Sequence, residues 1–256
     1  MLSFGFPEGA AVVIGGTGGI GRTICERLAE AGSDVAFTWR RNAGTAAEVA
    51  AAVEGYGRAA DHQAVEVTEP ATLQAAFERF RSRFGRIHSV VYTTAPEIPQ
   101  EWMSRIEPEQ LRRVLEVNVM GLFNVVQQAI PHLRGGGSFV TVTTSAVGRY
   151  PRRDSLSSIP KSASQMLTLA LAKEGAQVAV NYRAREKEAA ETCRLIEAAG
   201  GAAFSLRADV SKAAEVSAMM AEIRSRAGEV AILVNNAGIA IKCAPDALTE
   251  AIWDEV

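Results

Sequence analysis

The stretch that decides the fold is residues 10–21, which read AAVVIGGTGGIG. Its first five residues form an uninterrupted apolar run of the kind that builds a fully buried strand. Glycines follow, and Ile20, Ile24 and Leu28 then recur at the spacing of one helix face. The segment therefore predicts a strand, a tight glycine turn and a helix over Gly19–Ala31.

The rest of the chain alternates in the same way between predicted strands and predicted helices. The strands are 34–39, 63–67, 88–93 and 138–144; the helices are 46–53, 70–84, 108–133 and 161–173, with a polar loop over 149–160. Such alternation predicts an α/β fold, namely a doubly wound parallel sheet with helices on both faces.

Composition excludes several classes of function. With 256 residues, 48% of them hydrophobic, and a net charge of -2, the chain has no electrostatic reason to bind nucleic acid or an anionic membrane. Cys25, Cys193 and Cys243 form no CxxC pair, which argues against a zinc site and a disulfide framework. The N-terminal apolar run is too short to span a bilayer. We expect a cytoplasmic protein with no metal.

The glycine loop predicts a Rossmann-type dinucleotide site. Gly15 allows a sharp turn, and Gly19 and Gly21 allow the backbone to approach a pyrophosphate and the helix to pack on the sheet. The unpaired N–H groups at the helix N-terminus then face the phosphates. Thr17 and Ile20 belong to the same loop, so we expect them to contact the cofactor as well.

The pattern GxxxGIG over residues 15–21 resembles the glycine loop of classical short-chain dehydrogenases/reductases, although the family usually has Thr where Ile14 stands. The resemblance implies hydride transfer between a nicotinamide and a small carbonyl or alcohol substrate, in the manner of 3-oxoacyl reductases. It also implies a homo-oligomer.

The end of the second strand favours NADP(H) over NAD(H). NAD-preferring members of the family place Asp there, whereas this chain has Trp39 followed by Arg40 and Arg41. Guanidinium groups suit a 2′-phosphate through charge-assisted hydrogen bonds. Glu66 stands where the family has an Asp that contacts the adenine.

The family's catalytic set is matched at three of its four positions. Asn118, Ser145 and Lys161 correspond to its Asn, Ser and Lys, but Ser157 stands in place of the Tyr. No tyrosine in the chain is followed four residues later by Lys, and Tyr150 on the nearby loop has the wrong spacing. An aliphatic hydroxyl is a far weaker acid than a phenol, so catalysis is expected to be impaired.

Three interpretations are therefore open. The chain is an NADP(H)-dependent oxidoreductase, a non-catalytic NADP(H)-binding or scaffold protein descended from one, or a chain without stable function because sheet edges are left uncovered.

The second half of the chain repeats part of the first. Residues 171–238 align without a gap with residues 28–95, and roughly 20 of these positions are identical. We expect residues 1–174 to form the dinucleotide-binding and catalytic region and residues 175–256 to be a truncated second copy that completes the same sheet. In this interpretation 175–182 serves as the sixth strand, and either 202–206, after a helix over 185–199, or 231–235 serves as the strand that closes the sheet. The second copy keeps Asn-Asn-Ala-Gly at 235–238, where the first has Tyr-Thr-Thr-Ala at 92–95.

Overall fold

The computed structural model describes residues 6–133, 137–142, 151–172, 177–183, 186–198, 200, 202–209, 212–227 and 232–235. Its strands are β1 (Ala10–Ile14), β2 (Asp34–Trp39), β3 (Ala60–Ala64), β4 (Ile87–Tyr92), β5 (Ser138–Val142), β6 (Gln177–Tyr182), β7 (Ala202–Arg207) and β8 (Ile232–Asn235). The larger sheet has the order β3-β2-β1-β4-β5-β8, and every pairing in it is parallel. The predicted α/β fold with a parallel sheet is thus confirmed.

Eight α-helices are described in the same ranges. They are α1 (Gly19–Glu30), α2 (Ala43–Gly55), α3 (Pro70–Phe84), α4 (Pro108–Leu115), α5 (Leu122–Leu133), α6 (Ser155–Ala172), α7 (Glu186–Ala198) and α8 (Ala213–Ala227). A π-helical segment, Glu116–Gly121, joins α4 to α5 and is called the π turn below. The single helix predicted over 108–133 is therefore interrupted.

The two faces of the sheet bury two separate cores. All five residues of β1 are fully buried, because helices cover the parallel sheet on both sides. Successive side chains point to opposite faces, so Val12 belongs to the core with Phe77 of α3 and Val125 of α5. Val13 belongs to the core with Val49 of α2. Sheet and helices together fix the carboxyl ends of the strands, where the candidate site lies.

Two boundaries differ from the prediction. The loop predicted over 149–160 is wrong from Ser155 onward, where α6 begins, because the hydroxyls that suggested a loop bond back to the preceding turn: Ser158 Oγ donates to the Asp154 carbonyl and Ser162 Oγ to the Ser158 carbonyl. The third strand lies at 60–64 and not at 63–67, because that segment pairs with β2. Val65 and Val67 follow it and are buried in the core.

The second half of the chain does not extend the sheet in sequence order. β6 pairs with β7 in a separate two-stranded sheet, so the interpretation that placed 175–182 beside β5 is wrong. β8 takes that position, with Val142 opposite Asn235. The alternative strand, predicted at 231–235, is therefore the one that adjoins β5. No α-helix within the described ranges is long and apolar enough to cross a membrane.

A buried histidine links strands at the amino end of the sheet. The Ser33 hydroxyl donates to the Asp34 carbonyl and lies 3.2 Å from His88 Nε2, and Ser89 Oγ lies 3.0 Å from His88 Nδ1. These partners suit a neutral ring that donates from Nε2 and accepts at Nδ1. Burial, reinforced by Arg86, lowers the pKa of His88 to about 4.

We expect this histidine to make the fold sensitive to acid. Because its pKa is lower in the folded than in the unfolded state, the unfolded chain binds the extra proton first, and stability falls as pH drops from about 6.5 towards about 4. Between pH 7 and pH 5 the free energy of unfolding should fall by about 2 kcal/mol. Urea unfolding of wild type and His88→Gln at both pH values checks this. An equal pH dependence in the two proteins would contradict it.

Candidate functional site

The glycine loop lies at the carboxyl end of β1, the point where the strand order reverses. β1 is flanked by β2 on one side and β4 on the other, and α1 starts directly after the loop. In open α/β sheets this crevice is where ligands bind.

Backbone conformation and close packing explain why two positions of the loop need glycine. Gly15 has φ +88, and a Cβ there would lie 2.5 Å from Thr94 Oγ1. A Cβ on Gly21 would lie 2.2 Å from the Gly15 carbonyl oxygen. The first position therefore needs glycine for the turn, and the second needs it for the close packing of α1 against the loop.

Gly19 has no such explanation within the described part of the chain. Nothing lies within 4 Å of a Cβ built on it. It opens α1, where no side chain caps the helix and no acidic residue lies in the first turn. Ile20 beside it is 57% exposed, which is unusual for a large apolar side chain. The helix start thus presents free N–H groups and open space to an anionic ligand.

Two threonines hold the glycine loop in place, one near the end of β2 and one directly after β4, the two strands that flank β1. The Gly15 N–H donates to Thr38 Oγ1 at 3.1 Å, and the Gly16 N–H donates to the Thr38 carbonyl at 2.9 Å. Directly after β4, the Thr93 backbone N–H and hydroxyl both donate to the Ile14 carbonyl, at 3.0 and 2.8 Å. Neither threonine was predicted as a site residue. The feature of the sequence that marks both of them is a hydroxyl side chain at or directly after the carboxyl end of a strand.

A cleft of about 190 Å³ runs from the loop across the ends of β2, β3 and β4. Of the predicted cofactor residues, it brings together Gly15, Thr17, Arg40 and Glu66. Residues that were not predicted complete its lining: Gly18, Thr38, Trp39, Val65, Val67, Thr93, Thr94, Ala95, Pro96 and Val117. Gly19, Ile20 and Gly21 stand at the start of α1, and Arg41 is exposed outside the cleft lining.

Two residues that line the cleft form an ion pair. Arg40 Nη1 lies 3.6 Å from Glu66 Oε2, and both side chains remain partly exposed. This contact involves one guanidinium nitrogen, so the other N–H donors of Arg40 are able to bind another acceptor. A phosphate in the cleft would meet this positive group, with Glu66 as its competitor.

Lys161, one of the candidate catalytic residues, contacts the end of a strand that neighbours β4. Lys161 on α6 is half-buried, and its Nζ donates to the Val142 carbonyl at the end of β5 at 2.9 Å. Burial lowers the pKa of its ammonium. Ser157 lies one helical turn earlier on the same face of α6. Ser145 falls outside the described residues.

Asn118 is buried in the π turn. Its side-chain Nδ2 donates to the Val114 carbonyl at 3.0 Å, and its backbone carbonyl accepts from Ser164 Oγ of α6 at 3.1 Å. Its Oδ1 is buried without a hydrogen-bond partner among the described residues, as are the side-chain oxygens of Thr94 and Thr141. Unpaired polar atoms at these strand ends are the kind of group that a polar ligand or a bound water satisfies.

This arrangement is that of a dinucleotide-binding α/β protein, and comparison with known proteins gives the family. The family model described as short chain dehydrogenase matches residues 9–168 and, separately, residues 164–256. The chain therefore belongs to the short-chain dehydrogenase family, a family of NAD(P)(H)-binding oxidoreductases.

Individual relatives match shorter stretches. The short-chain dehydrogenase/reductase homolog YusS of Bacillus subtilis is 47% identical over 87 residues, which cover 34% of this chain and 80% of that protein. The 3-oxoacyl-[acyl-carrier-protein] reductase FabG of Staphylococcus aureus is 40% identical over 90 residues, covering 35% of this chain and 37% of the reductase. A short-chain type dehydrogenase/reductase from Mycobacterium ulcerans has the same fold, with a TM-score of 0.64 at 22% identity over 91% of this chain and 90% of that one.

Proposed function

We propose that the chain binds NADP(H) in the cleft at the end of β1 and transfers hydride between the nicotinamide and a small carbonyl or alcohol substrate. The observation that carries this is the open start of α1: Gly19 has empty space beside it and free N–H groups around it. The likeness to FabG favours a 3-oxoacyl group as the substrate.

The preference for NADP(H) rests on the end of β2. Arg40 stands at the cleft opposite Glu66, and Arg41 follows it. A 2′-phosphate would meet the Arg40 guanidinium in a charge-assisted contact. A free ribose hydroxyl would gain less from the same group, because it carries no charge.

The Arg40→Ala variant should lose affinity for NADPH and keep its affinity for NADH. A hydrogen bond to a charged group contributes roughly 1.5–3 kcal/mol, so the Kd for NADPH should rise about 10- to 100-fold. Fluorescence titration with both nucleotides measures the change. Arg58→Ala is the matched control, since Arg58 pairs with Asp34 at the opposite end of β2. A similar loss for NADPH and NADH would contradict the assignment.

Four further residues would take part in the hydride transfer. When bound, reduced nicotinamide supplies the hydride. Lys161, already half-buried near the end of β5, would hold the nicotinamide ribose, and Asn118 would hold a water molecule near it. Ser145 would orient the substrate carbonyl. Ser157 is the least suited of the four, because its aliphatic hydroxyl, a weak acid, would have to serve as the proton donor.

That weakness supports a second candidate function, a non-catalytic NADP(H)-binding or scaffold protein. Nucleotide binding depends on the glycine loop and Arg40, and neither requires a proton donor at position 157. Turnover of 3-oxoacyl thioesters by the wild-type chain separates the two candidates, because only the enzyme consumes NADPH.

Residues 1–174 would form the binding and catalytic region, and residues 175–256 would form a partial second copy of it. The second match of the family model supports this, as does a repeated geometry. The Val65 N–H donates to the Trp39 carbonyl at 2.8 Å, and at the aligned positions the Ala208 N–H donates to the Tyr182 carbonyl at 2.9 Å. The Arg40–Glu66 pair likewise has a counterpart in Arg183–Asp209, whose charged atoms lie 3.9 Å apart.

A homo-oligomer would accord with the surface beside α4. An apolar groove of about 480 Å³ lies between α4, the π turn and α6, with Leu111, Leu115 and Val119 in its lining. Met120 and Met166 are exposed on the same elements. Contact with a second copy of the chain would remove this apolar surface from water.

A further inference from the structure

The end of β4 carries a buried phenol that the proposed function does not use. Tyr92 is 1% exposed, and its hydroxyl donates to the Val117 carbonyl at 2.6 Å. Burial raises the pKa of this phenol, so the hydroxyl is protonated and acts as a donor at neutral pH. The bond joins the sheet to the π turn, one residue before Asn118.

The π turn is built around this ring. A Cβ on Gly121 would lie 3.0 Å from Tyr92 Oη and 2.7 Å from a methyl carbon of Val67, so the last residue of the turn has no room for a side chain. A π segment changes the hydrogen-bond pattern of the helix it interrupts, and buried carbonyls there need partners from elsewhere. The phenol provides one for Val117.

The opposite side of the turn is held from α6. Ser164 Oγ lies 3.1 Å from the Asn118 backbone carbonyl and 3.0 Å from the Pro160 carbonyl of its own helix, so its hydrogen is shared between the two acceptors. Ser164 lies three residues after Lys161 on α6. The backbone carbonyls of two successive residues, Val117 and Asn118, are therefore fixed by the sheet on one side and by α6 on the other.

We infer that Tyr92 is a positioning residue: its hydroxyl bond to Val117 sets the π turn and thereby the place of Asn118 relative to Lys161. The part that concerns catalysis rests on the proposed function, whereas the part that concerns the turn does not. The inference gives a reason for Tyr at a position where the aligned strand β8 has Asn235.

Tyr92→Phe removes the hydroxyl and leaves the ring. We expect amide hydrogen exchange within Glu116–Gly121 to become about five- to tenfold faster, while exchange in α3 and β1 stays unchanged. Tyr56→Phe is the control, because Tyr56 is half exposed at the end of α2. Faster exchange throughout the core, or no change in the turn, would overturn the inference. The measurement needs no nucleotide, so its result is independent of whether NADPH binds.

A second measurement uses the wild-type chain and does not depend on how the variant folds. With tyrosine labelled at Cζ with carbon-13, a hydroxyl that exchanges slowly gives separate protonated and deuterated signals in mixed water. We expect the Tyr92 hydroxyl to exchange slowly and that of Tyr56 to exchange fast. Fast exchange at Tyr92 would mean that the bond to Val117 does not persist.

Kinetics then test the link to catalysis in whichever form of the chain turns over. Tyr92→Phe should lower kcat about tenfold or more and change the KM for NADPH much less, because Asn118 is displaced from the reacting groups whereas Val117 is only one of many residues that line the nucleotide cleft. A rise in KM with kcat unchanged would contradict a positioning role.

Discussion

The Ser157→Tyr variant is expected to oxidise NADPH with a carbonyl substrate about 10²- to 10⁴-fold faster than the wild-type chain, the usual contribution of a well-placed general acid. Position 157 lies four residues before Lys161 on α6, so the two side chains share a face of the helix. A phenol there would stand close to a half-buried ammonium, which favours its ionised form and brings its pKa down towards neutrality.

A matched variant separates this effect from the mere presence of a phenol. Ser155→Tyr adds the same side chain to the first residue of α6, on a different face from Lys161, and should give no gain. Adding Lys161→Ala to Ser157→Tyr should abolish the gain. If Ser157→Tyr binds NADPH and remains inactive across ketone and 3-oxoacyl thioester substrates, the substrate side of the site is also incomplete, and the scaffold interpretation is favoured.

The Gly19→Ala variant should lose NADPH binding while its fold is unaffected. The added methyl group meets no protein atom within 4 Å, so the melting temperature should stay within a few degrees of wild type. The same methyl would occupy the space at the start of α1 where the pyrophosphate is proposed to lie. We expect the Kd for NADPH to rise at least tenfold, which corresponds to about 1.4 kcal/mol.

Two other glycines serve as references for this experiment. A methyl group on Gly55 in α2 also meets nothing within 4 Å, so Gly55→Ala should leave binding unchanged and keep the melting temperature equal to or slightly above that of wild type. Gly21→Ala should damage both, because its Cβ would lie 2.2 Å from the Gly15 carbonyl oxygen. Unchanged NADPH affinity in Gly19→Ala would show that the open space is not part of a nucleotide site.

The parts of the fold that were predictable are those in which local sequence and burial agree. α3 runs from Pro70 to Phe84 as predicted, because proline at its first position and Gly85 after its end mark both boundaries. The buried strand β1 and the glycine loop also follow from local patterns. Each of these signals is contained within a few consecutive residues.

The parts that were not predictable depend on partners distant in sequence. β3 is the edge strand of its sheet and carries polar residues over 60–64, so local sequence favours the apolar alternation of 63–67 as the strand. The π turn cannot be recognised from apolar periodicity, because its carbonyls are held by Tyr92 and Ser164. Likewise the threonines that hold the glycine loop, Thr38 and Thr93, come from other strands.

The most direct test of the central claim is a titration of the purified chain with NADPH and with NADH, followed by the melting temperature. A ligand that binds only the folded state stabilises it by RT ln(1 + [L]/Kd), so even weak binding raises the melting temperature. We predict a rise with NADPH that exceeds the rise with NADH, and we expect this difference between the two nucleotides to disappear in Arg40→Ala. No rise with either nucleotide would contradict the account, because the glycine loop would then reflect ancestry without a working site.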